Sequence, residues 1–250
     1  MSPQSETPKE RIFTCRYFLT PAECNPQQRM PLTLLINRII EAATLHANTL
    51  GIGYADLVEF NQTWVLSRVA VEMNRYPRVN EHYTVETWVA SVNRLFSERD
   101  FRFLDADGNL LGWARTVWAV LDTHTRQAAD ISRMTWLESV ALPDRCPVAR
   151  PGRLRPLTDY EVSHYRFTYC DIDFNRHVNS SRYIELLLNQ WSLAFHDRNR
   201  LSRFEIAYLH EAYFDEPVEV RISKTTPTLA ELTNNGVALC RASLRFTPRD

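Results

Sequence analysis

The sequence predicts an α+β fold in which one apolar helix and a run of antiparallel strands occur twice along the chain. Three observations predict it. Two segments with helical apolar spacing, beginning near Leu32 and near Ser181, are each followed by four segments of strand composition. A proline- and arginine-rich tract, Pro143 to Pro156, divides the chain between them. The order of elements after that tract repeats the order before it at an offset of about 147 residues, which puts Met30 at the place of His177.

Residues 1–10 are polar and read as a frayed tail. Ile12 to Leu19 has the composition of a short strand, and Pro21 to Pro31 is a turn-rich approach. From Leu32, the residues Leu35, Ile36, Ile39, Ile40, Ala43, Ala47 and Leu50 recur at helical spacing, and Gly51 is a suitable stop. Only Arg38 and Glu41 are charged in this helix, so it is expected to be covered on most sides. A loop is expected over Ile52 to Gln62. Strands are expected at Thr63–Met73, His82–Val92, Glu98–Leu104 and Leu110–Leu121, rich in Trp, Val, Tyr, Phe and Thr. Asp105 to Asn109 is a hairpin turn. Thr123 to Val140 is less regular.

Pro143 to Pro156 is expected to be an extended, exposed linker. Beyond it come a strand at Tyr160–Tyr169 and a helix at Ser181–Phe195, with Ile184, Leu187, Leu188, Trp191 and Phe195 on one side. Asn179, Ser180 and Ser181 are all favourable N-cap types. Strands follow at Phe204–Ala212, Val218–Ser223, Thr228–Thr233 and Val237–Thr247, with Asn234 to Gly236 as a hairpin turn. A lone apolar helix ahead of a long antiparallel sheet buries itself against the sheet's concave face. That is a hotdog, and the chain reads as a tandem or double hotdog. Residues 11–142 form the first, 143–157 the linker and 158–250 the second, with the two sheets continuing side by side.

Composition narrows the function classes. A formal net charge of −1 gives no general attraction to nucleic acid or membrane. No run approaches the ~20 apolar residues of a membrane span, and no apolar signal core precedes Arg11. Five scattered cysteines without close spacing read as free thiols of a reducing cytoplasm. Lys9 and Lys224 are the only lysines among the 29 basic residues, a bias toward a side chain that binds phosphate and carboxylate bidentately. The plain alternative is a GC-rich coding sequence.

The densest chemistry lies between Tyr169 and Glu185. Asp173, Asn175 and His177 alternate, and an extended chain would aim all three to one face, with Phe174 and Arg176 turned away. The competing reading is an Asx-rich turn that caps a helix. The first half is an internal control: Pro26, Gln28 and Met30 stand at the equivalent places, so the fold itself does not need the motif. Glu211 lies about 34 residues beyond His177, on a strand face shared with Glu205, Ala207 and Leu209. There is no Gly-x-Ser-x-Gly elbow for a serine nucleophile. His164 and His177 lack metal-ligand spacing, so no metal and no cofactor are expected.

These stretches resemble the fatty acyl-acyl carrier protein thioesterases of plants and bacteria. The resemblance runs from about Cys15 to Phe246. It is carried by Trp64 to Arg68, Arg94 to Asp107, Arg115 to Trp118, the Asp-x-Asn-x-His-Val-Asn motif from Asp173 to Asn179, and Tyr183-Ile184. It implies that Asp173, Asn175, His177 and Glu211 are catalytic and that the acyl chain is released from acyl carrier protein as a free fatty acid. Plant members carry a Cys after that Glu, where this chain has Ala212, so a Cys–His dyad is unavailable and water is the expected nucleophile. The lack of a plastid leader favours a bacterial form.

In that mechanism Glu211 or His177 takes the proton from water, Asp173 orients and charge-balances His177, and Asn175 positions water or carbonyl. Backbone N–H groups near Val178 to Ser180 polarise the thioester oxygen, about 3 kcal/mol per donor. The acyl pocket is expected between the first helix and its sheet, lined by Ile36, Ile40, Trp64, Leu66 and Trp118. The acidic carrier is expected to dock on Arg176 and Arg182 beside the motif and on Arg150, Arg153 and Arg155 of the linker. A homodimer is left open. Two other functions are weighed: a hotdog dehydratase of 3-hydroxyacyl thioesters, and a non-catalytic acyl-thioester-binding protein. The Asn175 spacing disfavours the first. The second would need a DNA-binding segment that residues 1–31 are too short and polar to supply.

Overall fold

The apolar stripe that begins at Leu32 forms helix α1 (Leu32–Leu50) in the computed structural model, which describes residues 11–143 and 145–249. The tail expected over residues 1–10 lies outside the described residues. Leu35, Ile36, Ile39 and Ala42 of α1 are fully buried. The helix ends where Gly51 turns into the left-handed region (φ 71°), its N–H reaching back to Ala47 and Asn48. A short helix α2 (Tyr54–Val58) follows where a loop is expected. The Asp56 carboxylate starts it by accepting the Gly53 N–H at 2.8 Å.

Ten strands make one antiparallel sheet. The first half supplies β1 (Phe13–Phe18), β2 (Gln62–Met73), β3 (His82–Val92), β4 (Phe96–Asp105) and β5 (Leu110–Asp122). The second supplies β6 (Glu161–Arg166), β7 (Asn199–Tyr208), β8 (Pro217–Ile222), β9 (Thr228–Asn234) and β10 (Val237–Pro248). The order is β1-β3-β4-β5-β2-β7-β10-β9-β8-β6, so the halves join at β2–β7, in the register Arg68↔Ala207 to Glu72↔Arg203. At the β9–β10 turn Asn235 and Gly236 both have positive φ, as a two-residue hairpin requires.

The second helix differs from expectation. It forms α3 (Ser180–Leu188), breaks, and resumes as α4 (Leu193–Arg198). Ser192 causes the restart, since its hydroxyl accepts the Phe195 N–H and caps a new helix. Trp191 and Phe195 then leave the stripe and pack on Phe246, with ring centroids 4.9 and 5.0 Å away. The core on the concave face is shared. Leu35, Ile36 and Ile39 from α1 meet Tyr183, Ile184 and Leu187 from α3, over Val69, Phe101, Phe103, Phe204 and Leu232 of the sheet. Each such side chain contributes roughly 1.5–3 kcal/mol on burial, so neither helix is separable from the other half.

The linker is not exposed throughout. Cys146 and Val148 are buried against Ala70 and pack beside Trp113, and the Cys146 carbonyl accepts from Arg115 at 3.1 Å. Cys146, Val148 and Pro151 are the buried residues that lay this tract against the sheet. No described helix is long and apolar enough to cross a membrane.

Candidate active site

Asp173 to His177 is a tight turn, not extended chain. The Asp173 carboxylate accepts the backbone N–H groups of Asn175 (2.8 Å) and His177 (3.1 Å). The Asp173 N–H meets the His177 carbonyl at 2.7 Å, and Arg176 sits at φ 67°. The sequence expectation of three side chains aimed to one face therefore fails. An Asx side chain satisfies turn N–H groups more readily than it leaves them to water. Asp173 shapes the backbone that carries His177 and does not touch the imidazole ring's nitrogens.

The imidazole has a different partner. His177 Nδ1 lies 3.4 Å from Oε1 of Glu211. Glu211 is not on a strand face, because β7 ends at Tyr208. The N–H groups of Leu209 and His210 both go to the Leu239 carbonyl, at 2.9 and 3.1 Å, which breaks the alternation. The other carboxylate oxygen of Glu211 is ion-paired with Arg126, and the Tyr213 hydroxyl donates to it at 3.5 Å. The Tyr213 ring stands edge-on to His177, centroids 5.2 Å apart.

Arg126 was not singled out in the sequence. It lies in the turn after β5, where its N–H meets the Asp122 carbonyl at 2.9 Å. That turn is pinned to Asn61, just ahead of β2, by the Thr123 N–H at 2.8 Å. The first half thus delivers a cation to a glutamate and histidine of the second. A lone exposed arginine in a polar turn carries no local signal of this.

Helix α3 begins directly after the turn, with the Asn179 side chain capping Ser181 at 2.9 Å. The backbone donors expected to polarise a substrate oxygen are partly committed. The Val178 N–H goes to the Ala212 carbonyl and the Asn179 N–H to the Asp171 carbonyl, each at 2.8 Å. The Asn175 side chain is exposed at the mouth of the turn.

An apolar cleft runs along the C-terminal half of α1, lined by Ala43, Ala47, Ile52, Trp64 and Trp118, with Ser97 and Arg99. Of the expected lining, Trp64 and Trp118 are present. Ile36, Ile40 and Leu66 instead pack in the main core. The reason is size: one to two turns along α1 the bulky isoleucines give way to Ala43 and Ala47, which leave room. Trp64 is fixed by its indole N–H on the Ile52 carbonyl, 2.8 Å. Arg99 is buried with Nη1 2.7 Å from His46, and burial pulls its pKa down to about 10, so it remains a cation at neutral pH.

The arginines expected to meet a carrier divide into two groups. Arg182 is committed to Glu185 and Asp171 and to the Cys170 carbonyl. Arg150 pairs with Glu98 at 3.1 Å. Arg176, Arg153 and Arg155 are exposed.

Fold and site together define a double hotdog protein with one polar site to which both halves contribute. The chain belongs to the acyl-ACP thioesterase family: residues 10–135 match the acyl-ACP thioesterase N-terminal domain and residues 154–248 its C-terminal domain. It is similar to the crystal structure of an acyl-ACP thioesterase from Bacteroides thetaiotaomicron, at 34% identity and TM-score 0.89, covering 95% of this chain and 98% of that one. It shares its fold with a 12:0-ACP thioesterase from Umbellularia californica, at 20% identity and TM-score 0.84, covering 96% and 97%. Among curated relatives, a chloroplastic dodecanoyl-[acyl-carrier-protein] hydrolase from Cinnamomum camphora is 25% identical over 227 residues, 85% of this chain and 59% of that protein. The chain spans about three-fifths of the length of such relatives.

Proposed function

We propose that the protein hydrolyses acyl-acyl carrier protein thioesters and releases free fatty acids, ending fatty acid synthesis. The observation that carries this reading is the line His177–Glu211–Arg126 at the same end of the sheet as the apolar cleft. Both oxygens of Glu211 are engaged, one by His177 and one by Arg126 and Tyr213. An Nδ1–H donated to Glu211 fixes the tautomer that leaves Nε2 to accept a proton. His177 Nε2 takes it from water, and the water oxygen attacks the thioester carbonyl. The tetrahedral intermediate collapses, and the same proton goes to the departing pantetheine thiolate. Asn175 donates its side-chain amide to the developing oxyanion, about 3 kcal/mol for such a donor. The buried Ala212 supports water as nucleophile, since no thiol stands beside Glu211. The acyl chain lies in the cleft at Trp64 and Trp118, and the acidic carrier docks on the exposed arginines. Five free thiols suit a reducing cytoplasm.

The test is thiol release from dodecanoyl-acyl carrier protein by the wild-type protein and by His177→Ala. The variant is expected to lose 10²-fold or more, about what a general base supplies, with unchanged circular dichroism. Dehydration of a 3-hydroxyacyl thioester without thiol release would establish the dehydratase instead.

A further inference from the structure

Read inward from its two edges, the sheet runs β1, β3, β4, β5, β2 on one side and β6, β8, β9, β10, β7 on the other. Every part of the active site therefore has a mate at the opposite end of the molecule. His177 stands just before α3, and Met30 just before α1. Glu211 lies in the loop after β7, and Tyr76 in the loop after β2. Arg126 follows β5, and Arg249 follows β10. The cleft along the end of α1 corresponds to the space beyond the end of α3.

Two adjoining cavities occupy those mates. One is lined by Met30 and Tyr76 together with Arg29, Arg200, Arg249 and His196. The other, wider and open to solvent, is walled by Trp191, Phe195, Ile222 and Leu244 and rimmed by Thr228 and other hydroxyls, with Glu161 and Lys224 also on its lining. Asn199 and Phe246 line both, so the two adjoin.

The smaller cavity is lined by three arginines and by no carboxylate of the described residues. Arg200 donates to the Met73 carbonyl at 2.9 Å, and Arg249 to the carbonyls of His196 and Asn199 at 3.1 and 3.2 Å. The Nε of Arg249 is buried with no hydrogen-bond partner. Of the described acids nearby, Glu81 pairs with Arg75 at 2.8 Å and Asp197 accepts from the Gln27 amide at 2.8 Å. Burial and the positive charges of Arg78 and Arg249 lower the pKa of Arg29. In the active site the equivalent arginine faces Glu211; here Tyr76 stands in its place. A buried unpaired donor beside a cation cluster suits an anionic ligand.

We propose that these adjoining cavities are a second, non-hydrolytic site for a single-chain anionic amphiphile. Its carboxylate or phosphate head sits on Arg29, Arg200 and Arg249, and its chain lies among Trp191, Phe195 and Phe246. Met30 stands where the active site has histidine, and His196, the imidazole on the lining, turns its Nε2 to the Leu188 carbonyl at 3.1 Å and has no carboxylate beside it on that lining, so the ligand is held and not cleaved. The site stands independently of the hydrolytic reading, because binding alone defines it.

Carboxyl-labelled dodecanoate, titrated into the full chain and followed by carbon NMR, tests it. The wild type should show two bound carboxyl resonances, one of them from the cleft at Trp64. Arg29→Gln with Arg249→Gln should weaken the other by about tenfold or more, as loss of charge-assisted bonds does. Thioester hydrolysis should stay within about twofold of wild type. Dodecyl phosphate should displace this resonance and dodecanol should not. Stronger displacement by the phosphate than by unlabelled dodecanoate identifies a phosphate head, and the reverse a carboxylate. Thr228→Trp, which fills the chain cavity without touching an arginine, should remove the same resonance and serves if the double variant does not fold. The absence from the wild type of any bound resonance that Thr228→Trp or the folded double variant removes overturns the proposal, whether or not the cleft at Trp64 is also filled.

Discussion

Arg126 of the first half holds Glu211 of the second, so the polar site is completed only where the two hotdogs meet. The pair is partly exposed, with side-chain exposures of 46% and 36%, and such pairs add at most about 1 kcal/mol to stability. Its expected effect is on positioning. Arg126→Gln should lower kcat by about tenfold, because a displaced Glu211 no longer fixes the His177 tautomer. The melting temperature should hardly move. Steady-state kinetics on acyl carrier protein substrates decide it, and a kcat within twofold of wild type would remove Arg126 from the site.

Asp173 separates two roles that the motif alone confounds. If its carboxylate works by charge on the imidazole, Asp173→Asn should be nearly as damaging as Asp173→Ala. The structure gives it backbone N–H groups to accept instead. An asparagine oxygen accepts the same bonds, so Asp173→Asn should retain most activity. Asp173→Ala should lose about 1–2 kcal/mol of stability along with turnover. Parallel melting curves and kcat values for the two variants give the answer. Equal inactivation with unchanged melting would favour the charge role.

The same residue shows why some features were legible in the sequence and others were not. Helix α1 and its Gly51 stop, and strand β3 at His82–Val92, follow from apolar period and a glycine at positive φ, which are local properties. The His177–Glu211 partnership entered through the family resemblance and not through spacing. The turn at Asp173 could be read two ways, and hydrogen-bond satisfaction selected the Asx turn. Three features escaped, two because tertiary contacts decide them and one because a local serine cap interrupts an apolar stripe. Leu209 and His210 share one carbonyl and so end β7 early. Ser192 restarts a helix whose stripe looked continuous. Arg126 meets Glu211 only once β2 and β7 are paired. The expected lining of Ile36, Ile40 and Leu66 went wrong for a related reason: apolar spacing marks what is buried, and only the small Ala43 and Ala47 mark where space is left.

Ala212 is fully buried in the main core, and its carbonyl accepts the Val178 N–H at 2.8 Å. Ala212→Cys therefore places a thiol in packed surroundings rather than against His177. Activity is expected to stay at or slightly below wild type, and overpacking should cost about 1 kcal/mol. Thiol alkylation of the folded variant should not inactivate it. A several-fold gain in kcat that alkylation abolishes would show that sulfur reaches the reacting carbon.

Arg176 lies in the Asp173–His177 turn and Arg182 just beyond it, yet the structure gives them opposite expectations. Arg182 is bound to Glu185 and Asp171 and caps the Cys170 carbonyl at 3.1 Å, so it braces the start of α3. Reversing its charge would set three acids against one another and disturb the helix that carries the site. Arg176 is exposed at positive φ beside the exposed Phe174, and the turn that holds it is closed by the Asp173 carboxylate and by backbone bonds, not by the Arg176 side chain. Reversing its charge leaves the turn intact. Arg176→Glu should therefore raise KM for an acyl carrier protein substrate several-fold, with kcat unchanged. The effect should shrink as salt rises from low to about 0.15 M, where the Debye length falls to ~8 Å. On a short acyl-pantetheine thioester without the carrier, the variant should match wild type. Arg182→Glu should instead lower the melting temperature and lose activity on both substrates alike. If Arg176→Glu impairs both substrates equally, or if salt leaves its KM unchanged, the residue acts on the site itself and carrier docking lies elsewhere on the surface.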